Sequence, residues 1–211
     1  MNPKNVLGQT KAVCEWIAEA AAAREHNGTQ FISVRFGNVL GSSGSVIPLF
    51  RRQIARGGPV TITHPEMTRY FMTIPEAVQL IIQAGAIGES GEIYVLDMGP
   101  PVRILDLAHN MIRLSGKEPD VDVQVDFIGV RPGEKLHEEL WASDENAEPT
   151  THPKILRCAS TPVDPSWLED ELAELERLVD AGETLDVLNR LGLMVRAPRR
   201  VSVEAPAPET V

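Results

Sequence analysis

Apolar residues recur at helical spacing near the start of the chain. Val13, Trp16, Ile17 and Ala20, with an alanine-rich run reaching Arg24, predict a helix over residues 5–25. Asn27-Gly28 stops it. Residues 31–36 are mostly apolar and predict a strand covered on both faces. Helix, tight turn and buried strand make the αβ half of a parallel βαβ unit. Such a strand needs a parallel neighbour, so the chain reads as though something preceded it. A Gly/Ser loop over 37–45 leads into a helix over 46–56, closed by Gly57-Gly58-Pro59. A short strand at 60–63 and an extended stretch at 67–72 follow. Thr73-Ile74-Pro75-Glu76 is a capping box with proline in the first turn, and it opens a helix to residue 86.

The pattern continues with a strand at 92–96, a helix at 104–114 and a partly alternating strand at 121–128. Arg131-Pro132-Gly133-Glu134 predicts a turn, then a short helix through residue 141. Residues 142–153 are polar and proline-containing and read as a loop, followed by a strand at 155–159. Leu168, Leu172, Leu175 and Val179 mark an acidic amphipathic helix. Leu185, Leu188 and Leu191 mark a second, which Gly192 is expected to end. Residues 197–211 hold three prolines and few large apolar groups, and read as a disordered tail.

Composition narrows the class without naming a function. The 211 residues are 43% hydrophobic and 24% charged, which is ordinary for a globular chain and excludes bulk disorder. With 20 basic and 30 acidic residues the net charge is −10, the wrong sign for a broad nucleic-acid surface. Nine of the acids, against one arginine, fall in residues 164–186. The rest of the chain is therefore nearly neutral and has room for a local anion site. Cys14 and Cys158 allow one bridge but read as buried thiols of a reduced, cytoplasmic protein. No apolar run approaches the roughly 20 residues of a membrane span.

Candidate chemistry sits at a few positions. Lys11, near the start of the first helix, reads as a solvated lysine or as one that holds a ribose. The Gly/Ser loop between a strand and a helix has the form of an anion cradle, but neither Gly-x-Gly-x-x-Gly nor a P-loop is present. Arg69 and Arg131 lie in mostly apolar segments, where a bare guanidinium is costly. Each needs a protein carboxylate or a diphosphate, which an arginine fork matches. Glu134 reads either as an acceptor for sugar hydroxyls or as a carboxylate favoured at a helix N-terminus. The histidines and cysteines show no metal-ligand spacing, so no metal is expected. Gly-x-Ser-x-Gly is absent.

Taken together, these motifs resemble one family. Asn2-Pro3-Lys4-Asn5-Val6-Leu7-Gly8-Gln9-Thr10-Lys11 is similar to the region around the Tyr-x-x-x-Lys helix of extended short-chain dehydrogenase/reductases. The stretch from Arg35-Phe36-Gly37-Asn38 through Ser45-Val46, the Thr61-Ile62-Thr63 and Met67-Thr68-Arg69-Tyr70-Phe71-Met72 segments, and Arg131-Pro132-Gly133-Glu134-Lys135-Leu136-His137-Glu138-Glu139 resemble its polysaccharide-biosynthesis branch. That branch contains the CapD-type nucleotide-sugar 4,6-dehydratases acting on UDP-N-acetylglucosamine. Thr151-His152-Pro153-Lys154-Ile155 resembles its long, membrane-anchored members.

The resemblance implies an α/β chain: the C-terminal part of a Rossmann-type dehydrogenase with its small substrate-binding domain interleaved over residues 1–160. An acidic helical extension over 161–196 and a tail over 197–211 would follow. It implies that Lys11 holds the nicotinamide ribose of NAD(P) and is catalytic, and that Phe36 flanks the nicotinamide. Asn38, Arg69 and Arg131 would hold the diphosphate of a UDP-sugar, Glu134 a ribose hydroxyl, and backbone around Val46 and Thr61 to Thr63 the uridine. Leu7 stands where the family tyrosine would be; members with an apolar methionine there rely on an upstream Asp-Lys pair. Ser43 departs from the arginine expected in that loop. The glycine-rich NAD turn and most Rossmann strands would precede residue 1, leaving this chain inactive and without NAD by itself. The full-length form is expected to be a homo-oligomer. An epimerase or reductase of the same superfamily, or a non-catalytic nucleotide-sugar-binding module, are the alternative readings.

Overall fold

The computed structural model describes residues 3–24, 28–42, 44–141, 145–159 and 161–201. Chain order begins α1 (Val6–Ala22), β1 (Ser33–Arg35), β2 (Asn38–Val39), α2 (Val46–Ala55), β3 (Val60–Ile62), β4 (Thr68–Arg69), β5 (Phe71–Met72) and α3 (Ile74–Ile87). It continues β6 (Ile93–Leu96), β7 (Val102–Arg103), α4 (Ile104–Leu114), β8 (Val125–Phe127), β9 (Asn146–Pro149), β10 (Ile155–Ala159), α5 (Pro165–Asp180) and α6 (Thr184–Arg196).

The main sheet has the order β1-β6-β10-β9. β1 and β6 are parallel, with Val34 opposite Tyr94, so β1 finds a parallel neighbour within this chain, whereas the sequence pattern points to one before residue 1. All four residues of β6 are buried. Their side chains alternate between two faces, as strand geometry requires. Tyr94 and Leu96 pack with Ala77, Leu80 and Ala84 of α3. Ile93 and Val95 pack with Cys158 on the other side. Thr73 caps α3 by accepting from the Glu76 N–H, as its capping box predicts. It ends at Gly88, whose backbone turns extended, and a Cβ there would lie 2.7 Å from the Ala84 carbonyl oxygen and 2.9 Å from Tyr94.

A second core lies beside the sheet. Phe50 and Ile54 of α2, Val60 and Ile62 of β3, and Ile104, Ala108 and Ile112 of α4 bury one another there. β3 pairs in parallel with β8, β2 in parallel with β5, and β4 antiparallel to β7. On the far side, α5 and α6 pack over Ala12, Val13 and Trp16 of α1. Among the described residues no helix is long and apolar enough to cross a membrane.

Several expectations are corrected. No helix forms over 134–141, because the Leu136 carbonyl accepts from Thr68 N–H and from Arg69 rather than from a residue four positions on. The polar loop over 142–153 contains β9, an edge strand tied to β10 by the Arg157–Glu148 pair at 2.6 Å. Gly192 does not end α6, which runs on to Arg196 with Leu191 and Met194 buried against α1. The strand at 121–128 shortens to β8, since Asp120 takes φ 60° and residues 118–123 form a turn. The tail is placed as far as Val201: Asp164 N–H donates to the Arg199 carbonyl at 2.8 Å, and Val201 N–H to Pro162 at 3.0 Å. Residues 202–211 lie outside the described residues, as does Ser43.

Candidate active site: a cationic cleft between the first helix and the Arg-Pro-Gly turn

The start of α1, the end of β1, β4 and the segment 131–140 enclose a cleft of about 840 Å³. That volume suits a nucleotide-sized ligand. Its walls carry six basic and four acidic side chains in a chain whose net charge is −10. The cleft is thus locally cationic where the molecule as a whole is not.

Asn5 organises one wall. Its side chain caps α1 by accepting from Gly8 N–H at 2.8 Å, and its amide donates to the Gly133 carbonyl at 3.2 Å. Gly133 takes φ +76°, and a Cβ there would lie 2.7 Å from the Lys4 carbonyl oxygen. Only glycine lets the turn approach the helix so closely. The turn closes on itself: Arg131 N–H donates to Glu134 Oε2 at 3.1 Å, and Glu134 N–H to the Arg131 carbonyl at 3.0 Å. Arg131 and Glu134 are thereby fixed opposite α1.

Arg69 forms the opposite wall. Its Nη1 is anchored on the Thr68 and Leu136 carbonyls at 2.7 and 3.2 Å. Nη2 stands 3.6 Å from Glu134 and Nε 3.4 Å from Glu138. The sequence left two partners open for this arginine. The structure gives it carboxylates at ion-pair distance, while its firm hydrogen bonds go to backbone. Arg69 lines the cleft, with Nη2 and Nε the nitrogens that have no hydrogen bond to backbone.

The structure brings six of the sequence-predicted residues together: Lys11, Phe36, Asn38, Arg69, Arg131 and Glu134 all line the cleft. Lys11 and Arg131 make no side-chain ion pair among the described residues. Val46, Thr61 and Thr63 do not line it. Val46 packs on the second core, Thr61 accepts from Gln53 Nε2 at 2.8 Å, and Thr63 donates to Met67 Sδ at 2.9 Å. Leu7, one turn before Lys11, is 66% exposed and lies outside the cleft lining. Cys14, expected to be buried, is exposed on α1 and lines the cleft, because its helix face meets the opening rather than the core. Cys158 is buried and free, its thiol pushed up to about 11 by burial and then by the charge of Glu145.

Sequence reasoning missed two groups. Arg35 is buried at the end of β1 between Glu15 and Glu145. Glu138 lines the cleft with Oε2 buried and without a hydrogen-bond partner. The argument applied to Arg69, that an arginine among apolar residues needs a partner, would have found Arg35. Among the described residues no cluster of side chains fits a metal ion.

Comparison with known proteins places this geometry. A family model described as "Polysaccharide biosynthesis protein" matches residues 1–160. The capsular polysaccharide biosynthesis protein CapD of Staphylococcus aureus is 57% identical over 157 residues, covering 74% of this chain and 26% of that protein. The chain therefore spans about a quarter of that relative's length. Among solved structures, Pen from Bacillus thuringiensis is 38% identical with a TM-score of 0.66, covering 74% of this chain and 48% of that one. DesIV, a dTDP-glucose 4,6-dehydratase from Streptomyces venezuelae solved with NAD, has a TM-score of 0.57 at 21% identity, covering 66% and 43%, and shows the fold alone. That fold is the Rossmann-type fold of nucleotide-sugar dehydratases and epimerases.

Proposed function

The chain belongs to the polysaccharide biosynthesis protein family, and from that premise we propose that it is the nucleotide-sugar-binding part of a UDP-N-acetylhexosamine 4,6-dehydratase. The observation that carries the reading is the cationic cleft, with Arg69 and Arg131 on facing walls in an acidic chain. Two guanidinium forks converging on one cavity suit a diphosphate better than a single carboxylate. Asn38 joins them. Glu134, tethered by the turn, accepts from a ribose hydroxyl. The resemblance assigns the uridine to backbone around Val46 and Thr61 to Thr63, whose side chains are already committed.

The residues present fit one end of an NAD cofactor. Lys11, unpaired on the cleft wall, suits the nicotinamide ribose, and Phe36 can flank the ring. When bound, NAD would supply a hydride acceptor for oxidation at C4 and, after loss of water across C5 and C6, a hydride donor at C6, with Lys11 and Phe36 holding its nicotinamide end. The pyrophosphate end needs a glycine-rich turn at a helix N-terminus, and these 211 residues contain no Gly-x-Gly-x-x-Gly. The chain alone is therefore proposed to bind the sugar nucleotide and not to turn it over. Lys11 holds a positive charge beside the reacting sugar, and Leu7 supplies no hydroxyl to relay a proton.

Calorimetric titration tests the reading. UDP-N-acetylglucosamine and UDP are expected to bind with similar affinity, and free N-acetylglucosamine not to bind. Sugar binding without UDP binding would defeat the diphosphate assignment.

A further inference from the structure

Arg35 leaves β1 at the cleft wall with its side chain only 7% exposed. Its Nε and Nη2 donate to the two oxygens of Glu15 at 2.7 and 2.5 Å. Nη1 and Nη2 donate to Glu145 at 2.8 and 2.9 Å, and Nη1 also reaches the Leu140 carbonyl at 3.4 Å. Burial alone would ease the proton off this guanidinium, but its bonds to the two carboxylates outweigh burial and hold it above its ordinary value. One buried cation thus serves two buried carboxylates. That is more acid than a single arginine needs for its own neutrality.

Glu15 stands one helical turn after Lys11, and both line the cleft. A lysine and a glutamate four apart on a helix are ordinarily neighbours and pair. Here they do not: Lys11 has no ion pair among the described residues, and its charge acts on Glu138 across the cleft. The other charged or titratable groups on the cleft walls are Lys4 before α1, Cys14 on α1, Arg69 on β4, Arg131 and Glu134 in the turn, and Lys135 and Glu139, which pair with each other at 2.9 Å. Glu134 and Glu138 already share Arg69. Glu15 is the one carboxylate on the helix that carries Lys11 and faces the cleft with it.

We infer that Arg35 is a positioning residue: by holding both oxygens of Glu15 it withholds that carboxylate from Lys11 and leaves the Lys11 ammonium open to the ligand. The inference rests on the proposed function only in treating Lys11 as a group that meets the ligand.

Two double variants of the full chain separate this role from simple structural support. Arg35→Leu with Glu145→Leu leaves Glu15 unheld. Arg35→Leu with Glu15→Leu removes the carboxylate on the Lys11 helix together with the group that holds it. Each removes one cation and one carboxylate from the same buried cluster. The readout is acetylation of Lys11 by an amine-reactive ester across a pH series, followed by peptide mass spectrometry, with Lys154 as the internal reference. In the first variant Lys11 labelling at fixed pH, relative to Lys154, is expected to fall about fivefold or more, because an unheld neighbouring carboxylate favours the charged amine. In the second it is expected to stay within about twofold of the parent, since no freed carboxylate shares the Lys11 helix. Equal changes in both overturn the inference, because loss of structural support would affect both alike. If neither folds, Glu15→Gln decides, since it keeps the Arg35–Glu145 pair. Labelling within about twofold of the parent supports the inference; a rise of about tenfold shows that Glu15 already reaches Lys11 and overturns it. No nucleotide is added, so this outcome and the outcome of the UDP titration are independent.

Discussion

Glu138 carries opposing influences on one carboxyl group. Burial raises it above its ordinary value of 4.5, and Arg69, the Tyr70 backbone and Lys11 pull it back without prevailing. The folded chain therefore binds this proton more tightly than the unfolded chain. The stability so gained is fully present below about pH 4.5 and is lost as pH rises through the folded value. Glu138→Gln is expected to melt higher than the parent at neutral pH, with the difference vanishing near about pH 4. A lower melting temperature for the variant at neutral pH would mean that the Arg69 attraction outweighs burial. The residue scale was partly legible. An arginine among apolar neighbours announces an unmet charge, and that reasoning held for Arg69, which is largely buried, but not for Arg131, which is exposed and needs no buried partner. It could not choose between a carboxylate and a diphosphate, because Glu134 and Glu138 reach Arg69 only through the fold.

At the scale of elements, local signals worked where side chain and backbone satisfy each other nearby. The capping box of α3 and the apolar spacing of α4 are of that kind, and both helices form where they were expected. Signals failed where a distant partner took over. The Leu136 carbonyl was claimed by β4, Gly192 was absorbed into a helix packed on α1, and the polar residues of β9 were recruited by the edge of β10. Nor did sequence periodicity reveal that α5 and α6 cover α1, since an amphipathic stripe does not name what it faces. Trp16 is the centre of that contact, 6% exposed and 6.0 Å from the Trp167 ring. Trp16→Ala is expected to cost about 3–5 kcal/mol in urea unfolding, the range for removing a buried aromatic. A loss under about 1 kcal/mol would show that the helical pair contributes little to holding α1.

At the scale of the whole molecule, the mixed α/β layering was readable from alternating helices and apolar strands, whereas the β1–β6 pair was not, because strand pairing across about 60 residues leaves no local signal. The cleft was not readable as a shape, because it is assembled from four separated segments that only the fold brings together. Its residue types were readable, and the family match covers the segments that build it. On the proposed function, this cleft takes a nucleoside diphosphate and only the nicotinamide end of NAD. Titration with NAD is accordingly expected to give no saturable binding where UDP saturates. Micromolar NAD binding by these 211 residues would contradict that division of the site.

The assignment of the cleft to a diphosphate is tested most directly by comparing three arginines in one UDP titration. Arg69 and Arg131 line the cleft, whereas Arg177 is exposed on α5 and pairs with Glu174. A hydrogen-bonded charged group is worth roughly 1.5–3 kcal/mol, so Arg69→Ala and Arg131→Ala should each weaken UDP binding about tenfold or more. Arg177→Ala should leave it unchanged. Equal losses from all three variants, or none from Arg69→Ala and Arg131→Ala, would contradict the claim that this cleft holds the diphosphate.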